Sequence, residues 1–555
     1  MSRPDAVDLG VMWDRLIAIA DEVLLSIVRT AFSVGVREAW DLGSVIFDVR
    51  GRAIAQGTLS MPAFIGTAPL TMGHMLARFP TAAWRPGDVV VTNDPWLGTG
   101  HTPDMCFARP VFHQDRLVGF VMTISHLPDI GGAGLSIGAR EIFEEGLILP
   151  ICKLYRGGEA NADLLELVTL NVRTPDQVTG DLNANIAGGA VGERLIGEFM
   201  AEYGLERLDQ VADGIIGQSG AAIRARIGAM ADGCYRHEIQ VETVAEPVTL
   251  RCAVTVAGER LGLDFAGTGP CQPAAINVPQ CYTRAFAAYA VKCLTVPELP
   301  NNQGVVDAIE IRVPEGSILD ARRPAPTGGR HVVGWFVVPL ILGALAEAVP
   351  DRVQAESGMA TLLLVQGTHP DGQAIATQYF LAGGLGAMAG LDGHQTTPAP
   401  TNNAVVASEV WENETAMTVL GRRLRPDSGG PGRYRGGVGQ IAALRNDSGH
   451  PLTVALFGMR TEVPAQGLFG GRPGARRRFL INGRSVAAKS RHVLAPGDVL
   501  EIHEAGGGGT GDPLTRPVAD VARDVAAGMI TREGAKADYG VDIDPVTGQG
   551  ERDTD

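Results

Sequence analysis

Residues 101–129 read HTPDMCFARPVFHQDRLVGFVMTISHLPD, and this stretch limits the possible folds more than any other. The phrase His-x-Pro-Asp stands at both ends, at His101–Asp104 and His126–Asp129, in a chain holding only 11 histidines. Between them lie two apolar runs, 105–112 and 117–125, joined by the polar HQDR. Apolar runs of this length around a short polar break predict an antiparallel hairpin. If Phe112 faces Leu117, Asp104 falls opposite Ser125 and beside His126, at a strand separation of roughly 5 Å. The hairpin then brings His101, Asp104, His126 and Asp129 to one end. Two imidazoles with one or two carboxylates suit a divalent ion such as Zn, Mn or Fe and leave positions open for water or substrate. A single His-x-x-Asp is more simply a turn after proline. Two copies joined by pairing strands favour a site.

The rest of the chain predicts an α+β, multi-domain protein with mixed sheets, an N-terminal metal-binding domain and a β-rich C-terminal region. Residues 8–40 keep helical spacing through Met12, Leu16, Ile19, Leu24, Ile27 and Val28. Two strands around Gly51 follow, then a buried strand within 86–96, the hairpin, and helices from about 181 to Met230. Further helices are expected at about 282–294 and 332–348. Composition shifts place domains at 1–245 (metal-binding), 246–399 (middle α+β), 400–515 (β-rich, glycine-rich) and 516–555 (helical tail).

Other motifs are weaker. The GLSIG at 134–138 has the Gly-x-Ser-x-Gly spacing around Ser136, but a glycine loop precedes it where a nucleophile elbow needs a strand. GGGGTGD at 506–512 lacks the Gly-Lys of a phosphate loop and reads as a turn packed on another segment. Arg330, His331 and His394 sit in glycine-flanked loops suited to a substrate pocket. The net charge of −15 speaks against nucleic acid. The charge-free run 332–346 is too short to span a bilayer. Seven cysteines without a CxxC pair, and a start lacking a signal-like apolar run, fit a cytoplasmic protein.

Eight stretches in order, among them SVGVREAWDLGSVIFD (33–48), TNDPWLGTGHTPD (92–104), ISHLPDIGG (124–132), RTPDQVTGDLNANIA (173–187) and GGGGTGDPL (506–514), resemble the hydantoinase B/oxoprolinase family. The larger subunits of acetone-type carboxylases are relatives of that family. The resemblance implies one divalent metal held by His101, Asp104 and His126, with Asp41 as a further ligand. Asp41 is retained although its neighbours, Ala-Trp-Asp-Leu-Gly-Ser, differ from the family's pattern. Asp129 is expected to orient His126 or a bound water, and Glu145 to act as general base. The activity implied is hydrolysis of a hydantoin, lactam or 5-oxoproline. A separate A-type, ATPase-fold subunit would activate the ring by phosphorylation, and a metal-bound hydroxide would open it. The chain would thus work in a hetero-oligomer, with ATP on its partner. An ATP-dependent ketone carboxylase, of acetone or acetophenone type, and a non-catalytic scaffold protein are the alternatives.

Overall fold

The computed structural model describes residues 6–552, which form an α+β protein with five sheets. They pack as two units: one runs to residue 234 and takes in 252–337, and the other joins 235–251 to the residues from 338 onward. The expected domain border at 245/246 falls inside the short segment that belongs with the second unit.

The first unit is built on a seven-stranded sheet. Its strands are β1 (Leu42–Asp48), β2 (Ala53–Gln56), β3 (Val89–Thr92), β4 (Asp104–His113), β5 (Arg116–His126), β6 (Cys152–Arg156) and β7 (Glu159–Ala160). Their order is β2-β1-β5-β4-β3-β6-β7, with every neighbour antiparallel. Side chains leave alternate faces of a strand. Ile46 and Val121 therefore join one core with the helices Ala6–Thr30, Pro175–Glu202 and Asp209–Gly228. Val45, Phe47, Phe120 and Met122 join another, against the helix Phe64–Arg78. Because both faces are covered, β1 and β5 read as continuous apolar runs and not as an alternation.

The helical pattern over 8–40 is broken in the structure. The first helix stops at Thr30, and a four-residue turn of helix, Val34–Arg37, follows. Asp181 causes the break. Its Oδ1 accepts the N–H groups of Phe32 (2.8 Å) and Ser33 (3.1 Å), and Ser33 then caps the next turn at Val36. The apolar run 332–346 likewise forms two short helices, His331–Gly334 and Val337–Ala344. Among the described residues no helix is long and apolar enough to cross a membrane.

The second unit carries a four-stranded and a five-stranded antiparallel sheet and, near the C-terminus, the helix pair Val518–Ala526 and Arg532–Tyr539. Its glycine runs pack backbone against backbone. Gly430 N donates to Gly507 O at 2.7 Å, Gly507 N to Gly437 O at 3.0 Å, and Gly508 N to Glu356 O at 2.8 Å. A methyl group on Gly506 would overlap the Ser428 carbonyl oxygen. The 506–512 run is thus a packing device, as its lack of a basic residue suggested.

Candidate metal centre

The β4–β5 hairpin forms the site. His113 and Arg116 close a two-residue turn in which Gln114 (φ 48°) and Asp115 (φ 61°) are both left-handed, the geometry that matches strand twist. Phe112 pairs with Leu117 as expected. A bulge between Val111 and Phe112 then shifts the register by one, so Asp104 stands directly opposite His126 and not opposite Ser125. Pro110, which has no N–H for a ladder, is next to the bulge. The extra residue turns "beside" into "across from" and closes the distance between the two ligand phrases.

Pairing of β1 with β5 brings in Asp41. Leu42 faces Ser125, and His126 N donates to Asp41 O at 3.1 Å. Trp40, at φ 57°, makes the left-handed step into this position. The Asp41 carboxylate lies 3.8 Å from His126 Nδ1.

Three donors meet at the centre. Asp104 Oδ1 is 2.7 Å from His101 Nε2 and 2.9 Å from His126 Nδ1, and one donor atom from each residue lies within 4.8 Å of the others. All three residues are buried, as is Asp41. His101 Nδ1 is 3.2 Å from the Gly328 carbonyl. A carbonyl only accepts, so Nδ1 carries the proton and Nε2 presents its lone pair. That Nε2 is buried and makes no hydrogen bond among the described residues despite its nearness to Asp104. An orphaned, buried, lone-pair-bearing nitrogen beside a carboxylate and a second imidazole is what a cation would satisfy. The donor set therefore fits a divalent ion that takes nitrogen and oxygen.

Electrostatics favour the same state. Burial, reinforced by the Arg330 charge, lowers His101 to about 4, so the imidazole is neutral at neutral pH. For Asp104, burial pushes upward, but its neighbours His101 and Arg330 and the hydrogen bond from His126 Nδ1 hold it well below the usual carboxylate range. His331, also buried, is pushed well below its ordinary value by burial, then by Arg330, His101 and His126.

Glu145 is buried in the same unit. Its Oε1 accepts the N–H groups of Thr327 (2.7 Å) and Gly328 (2.8 Å), the peptide whose carbonyl holds His101. Its Oε2 has no hydrogen-bond partner among the described residues. Burial raises Glu145 to about 7, against the pull of those two N–H groups. Asp129 is placed differently. Its carboxylate accepts from Gly131 N (3.1 Å), from Arg173 Nη1 (2.8 Å) and from Arg173 N, and these contacts tie down the loop after β5.

Ser136 lies in a glycine loop with neither a strand before it nor a helix after it, and its Oγ accepts from Gly138 N at 3.3 Å. His394 belongs to the second unit. Sequence reasoning missed the roles of Thr99, Tyr282 and the Thr327–Gly328 peptide. The glycines flanking Arg330 in PTGGRH were the only sign that this distant loop reaches the centre.

A family model described as Hydantoinase B/oxoprolinase matches residues 5–513. The chain belongs to the hydantoinase B/oxoprolinase family. Among its family relatives, the beta chain of the caprolactamase of Pseudomonas jessenii is 29% identical over 98% of this chain and 97% of that one. The B chain of a putative D-/L-hydantoinase of Pseudomonas sp. (strain NS671) is 27% identical over 98% and 96%. A crystal structure of ATP-dependent caprolactamase from P. jessenii superposes with a TM-score of 0.87 at 25% identity, covering 98% of this chain and 97% of that one. The nucleotide-free acetone carboxylase superposes at 0.86 and 21% identity over 98% and 81%, a likeness of fold.

Proposed function

We propose that this chain is the metal-carrying subunit of an ATP-dependent hydrolase of cyclic amides such as hydantoins, lactams or 5-oxoproline. The buried convergence of His101 Nε2, Asp104 Oδ1 and His126 Nδ1 carries the reading. The names of the hydantoinase and caprolactamase relatives support the substrate class. His101, Asp104 and His126, with Asp41, would hold one Zn, Mn or Fe ion. Such an ion would supply Lewis acidity, lowering the pKa of bound water toward neutrality.

The chain's own groups do the rest. Gly328 O fixes the His101 tautomer. Arg330 Nη2 (2.9 Å) and Thr99 Oγ1 (2.5 Å) both donate to Asp104 Oδ2, which leaves Oδ1 alone facing the histidines. Glu145, whose Oε2 has no hydrogen-bond partner among the described residues and whose pKa is raised to about 7, would be the group that takes a proton from the attacking water and returns it to the ring nitrogen that leaves. Asp129 fixes the loop that follows His126 and so holds that ligand's backbone in place.

An amide is a poor electrophile, and this chain has no Gly-Lys phosphate loop. In this reading an A-type, ATPase-fold partner subunit transfers a phosphoryl group from ATP to the carbonyl oxygen. Water attack with C–N cleavage then leaves an acyl phosphate, and a second water releases phosphate. The two chains would work as a hetero-oligomer in the cytoplasm. Full-rate hydantoin hydrolysis by the purified chain alone, without partner or ATP, would overturn the reading. A ketone carboxylase shares this fold. Bicarbonate-dependent ATP turnover with a ketone, and none with a lactam, would replace the hydrolase reading with that one.

A further inference from the structure

Arg330 is buried, with 5% of its surface exposed, and has a socket of its own. Its Nε donates to Thr99 O at 2.9 Å, and its guanidinium lies 4.0 Å from the centre of the Tyr282 ring. Gly100 makes room for its stem: at φ 101°, a methyl group there would meet Arg330 Cδ at 2.8 Å. The Nη2 group donates to Asp104 Oδ2 at 2.9 Å, while Oδ1 of the same carboxylate faces both histidines. One carboxylate thus serves a fixed cation on one oxygen and the candidate ion site on the other.

We propose that Arg330 is a resident counter-charge of the metal centre: it neutralises Asp104 in the metal-free chain and opposes the ion's charge once the site is loaded. This inference rests on the metal reading above. Without an ion, Asp104 is a buried carboxylate facing two imidazoles, and such a carboxylate with no cation beside it would be costly. Arg330 removes that cost, so the site is already formed before loading. When a divalent ion arrives, two cations share one carboxylate in a region of low dielectric, and the guanidinium cannot give up its charge. Orientation of Asp104 does not depend on Arg330 alone. Thr99 Oγ1 holds the same oxygen at 2.5 Å, and Asp104 is fixed opposite His126 in the ladder. Removing the charge while roughly keeping the shape therefore strengthens ion binding. A purely orienting arginine would do the reverse.

The test is titration of the metal-free full chain with Zn²⁺ or Mn²⁺ against a competing chelator. Wild type would be compared with Arg330→Gln, Arg330→Met and Arg330→Lys, each also melted with and without the ion. The neutral variants are expected to bind about tenfold tighter or more. Their metal-free forms melt lower than wild type, and the ion raises their melting temperature by more. Arg330→Lys, whose buried ammonium can shed its proton as the ion enters, is expected to bind between wild type and the neutral variants. Two neutral replacements keep the test open if one fails to fold. Equal or weaker binding by the folded neutral variants would overturn this inference and leave the metal reading intact. No ion in wild type would overturn both.

Discussion

Arg330 and Arg477 are both buried arginines, one in each unit, and they spend their hydrogen bonds in opposite ways. Arg477 donates through Nε to Glu504 Oε2 (2.7 Å), through Nη1 to Met459 O (2.7 Å) and through Nη2 to Gly358 O (2.9 Å) and Met359 O (2.8 Å). It ties strands and loops of the second unit together and leaves no nitrogen idle. Arg330 instead serves Asp104, with Thr99 O its other acceptor, beside an imidazole nitrogen that has no hydrogen bond. A saturated buried charge is architecture. Glu504 Oε1 beside Arg477 also has no hydrogen-bond partner among the described residues, but it stands alone. At Arg330 the partnerless His101 Nε2 converges with a carboxylate and a second imidazole, an arrangement that suits a further ligand.

Substitutions put this contrast at risk. The largest effect is expected from Gly506→Ala in the second unit. The new methyl group overlaps the Ser428 carbonyl, neither backbone can yield, and the loss in denaturant unfolding should exceed about 4 kcal/mol. Next is Arg477→Met, which strands Glu504 and several carbonyls and should cost about 3–5 kcal/mol in the same assay with no ion added. If Arg477→Met proved neutral, saturation would no longer separate architecture from site.

The first unit should respond to Glu145→Gln through pH. Folding raises the Glu145 pKa from 4.5 to about 7, so the folded chain binds more protons than the unfolded one between those values. Its contribution is most favourable below pH 4.5 and is lost as pH rises through 7, a penalty of about 3 kcal/mol above that. The glutamine variant has no such titration and keeps an acceptor for Thr327 and Gly328. Its stability should fall less steeply than wild type's across pH 4.5–7, read from denaturant midpoints of the metal-free chain at several pH values. A parallel pH dependence in the two proteins would place the ionisation elsewhere. If the proton-transfer role is also right, hydrolysis by the complex should drop by about 10²-fold or more in this variant while ion binding stays unchanged.

The hairpin and the meeting of His101 and Asp104 with His126 were legible because they are local: turn chemistry and apolar length fixed Phe112 against Leu117. The one-residue bulge was not: its extra residue is Val118 on β5, skipped between Leu117 and Gly119. Asp41 entered by resemblance; its place in the structure depends on β1 joining β5, a pairing across almost the whole first sheet region of the chain. The end of the first helix was missed because the group that stops it, Asp181, is 149 residues from Phe32 in sequence. Arg330 and the Thr327–Gly328 peptide reach the centre from more than 200 residues beyond the hairpin. Local spacing holds no record of such contacts. The 506–512 glycines were readable as packing, since a phosphate loop without a basic residue lacks its main attraction.

Whether the doubled His-x-Pro-Asp folds into a metal centre is tested most directly by elemental analysis. Inductively coupled plasma mass spectrometry would compare the wild-type chain with a His101→Ala/His126→Ala variant. About one Zn, Mn or Fe ion per chain is expected in wild type and none in the variant. Equal metal in both, or none in either, would contradict the assignment and leave the repeated phrase as the frame of a hairpin.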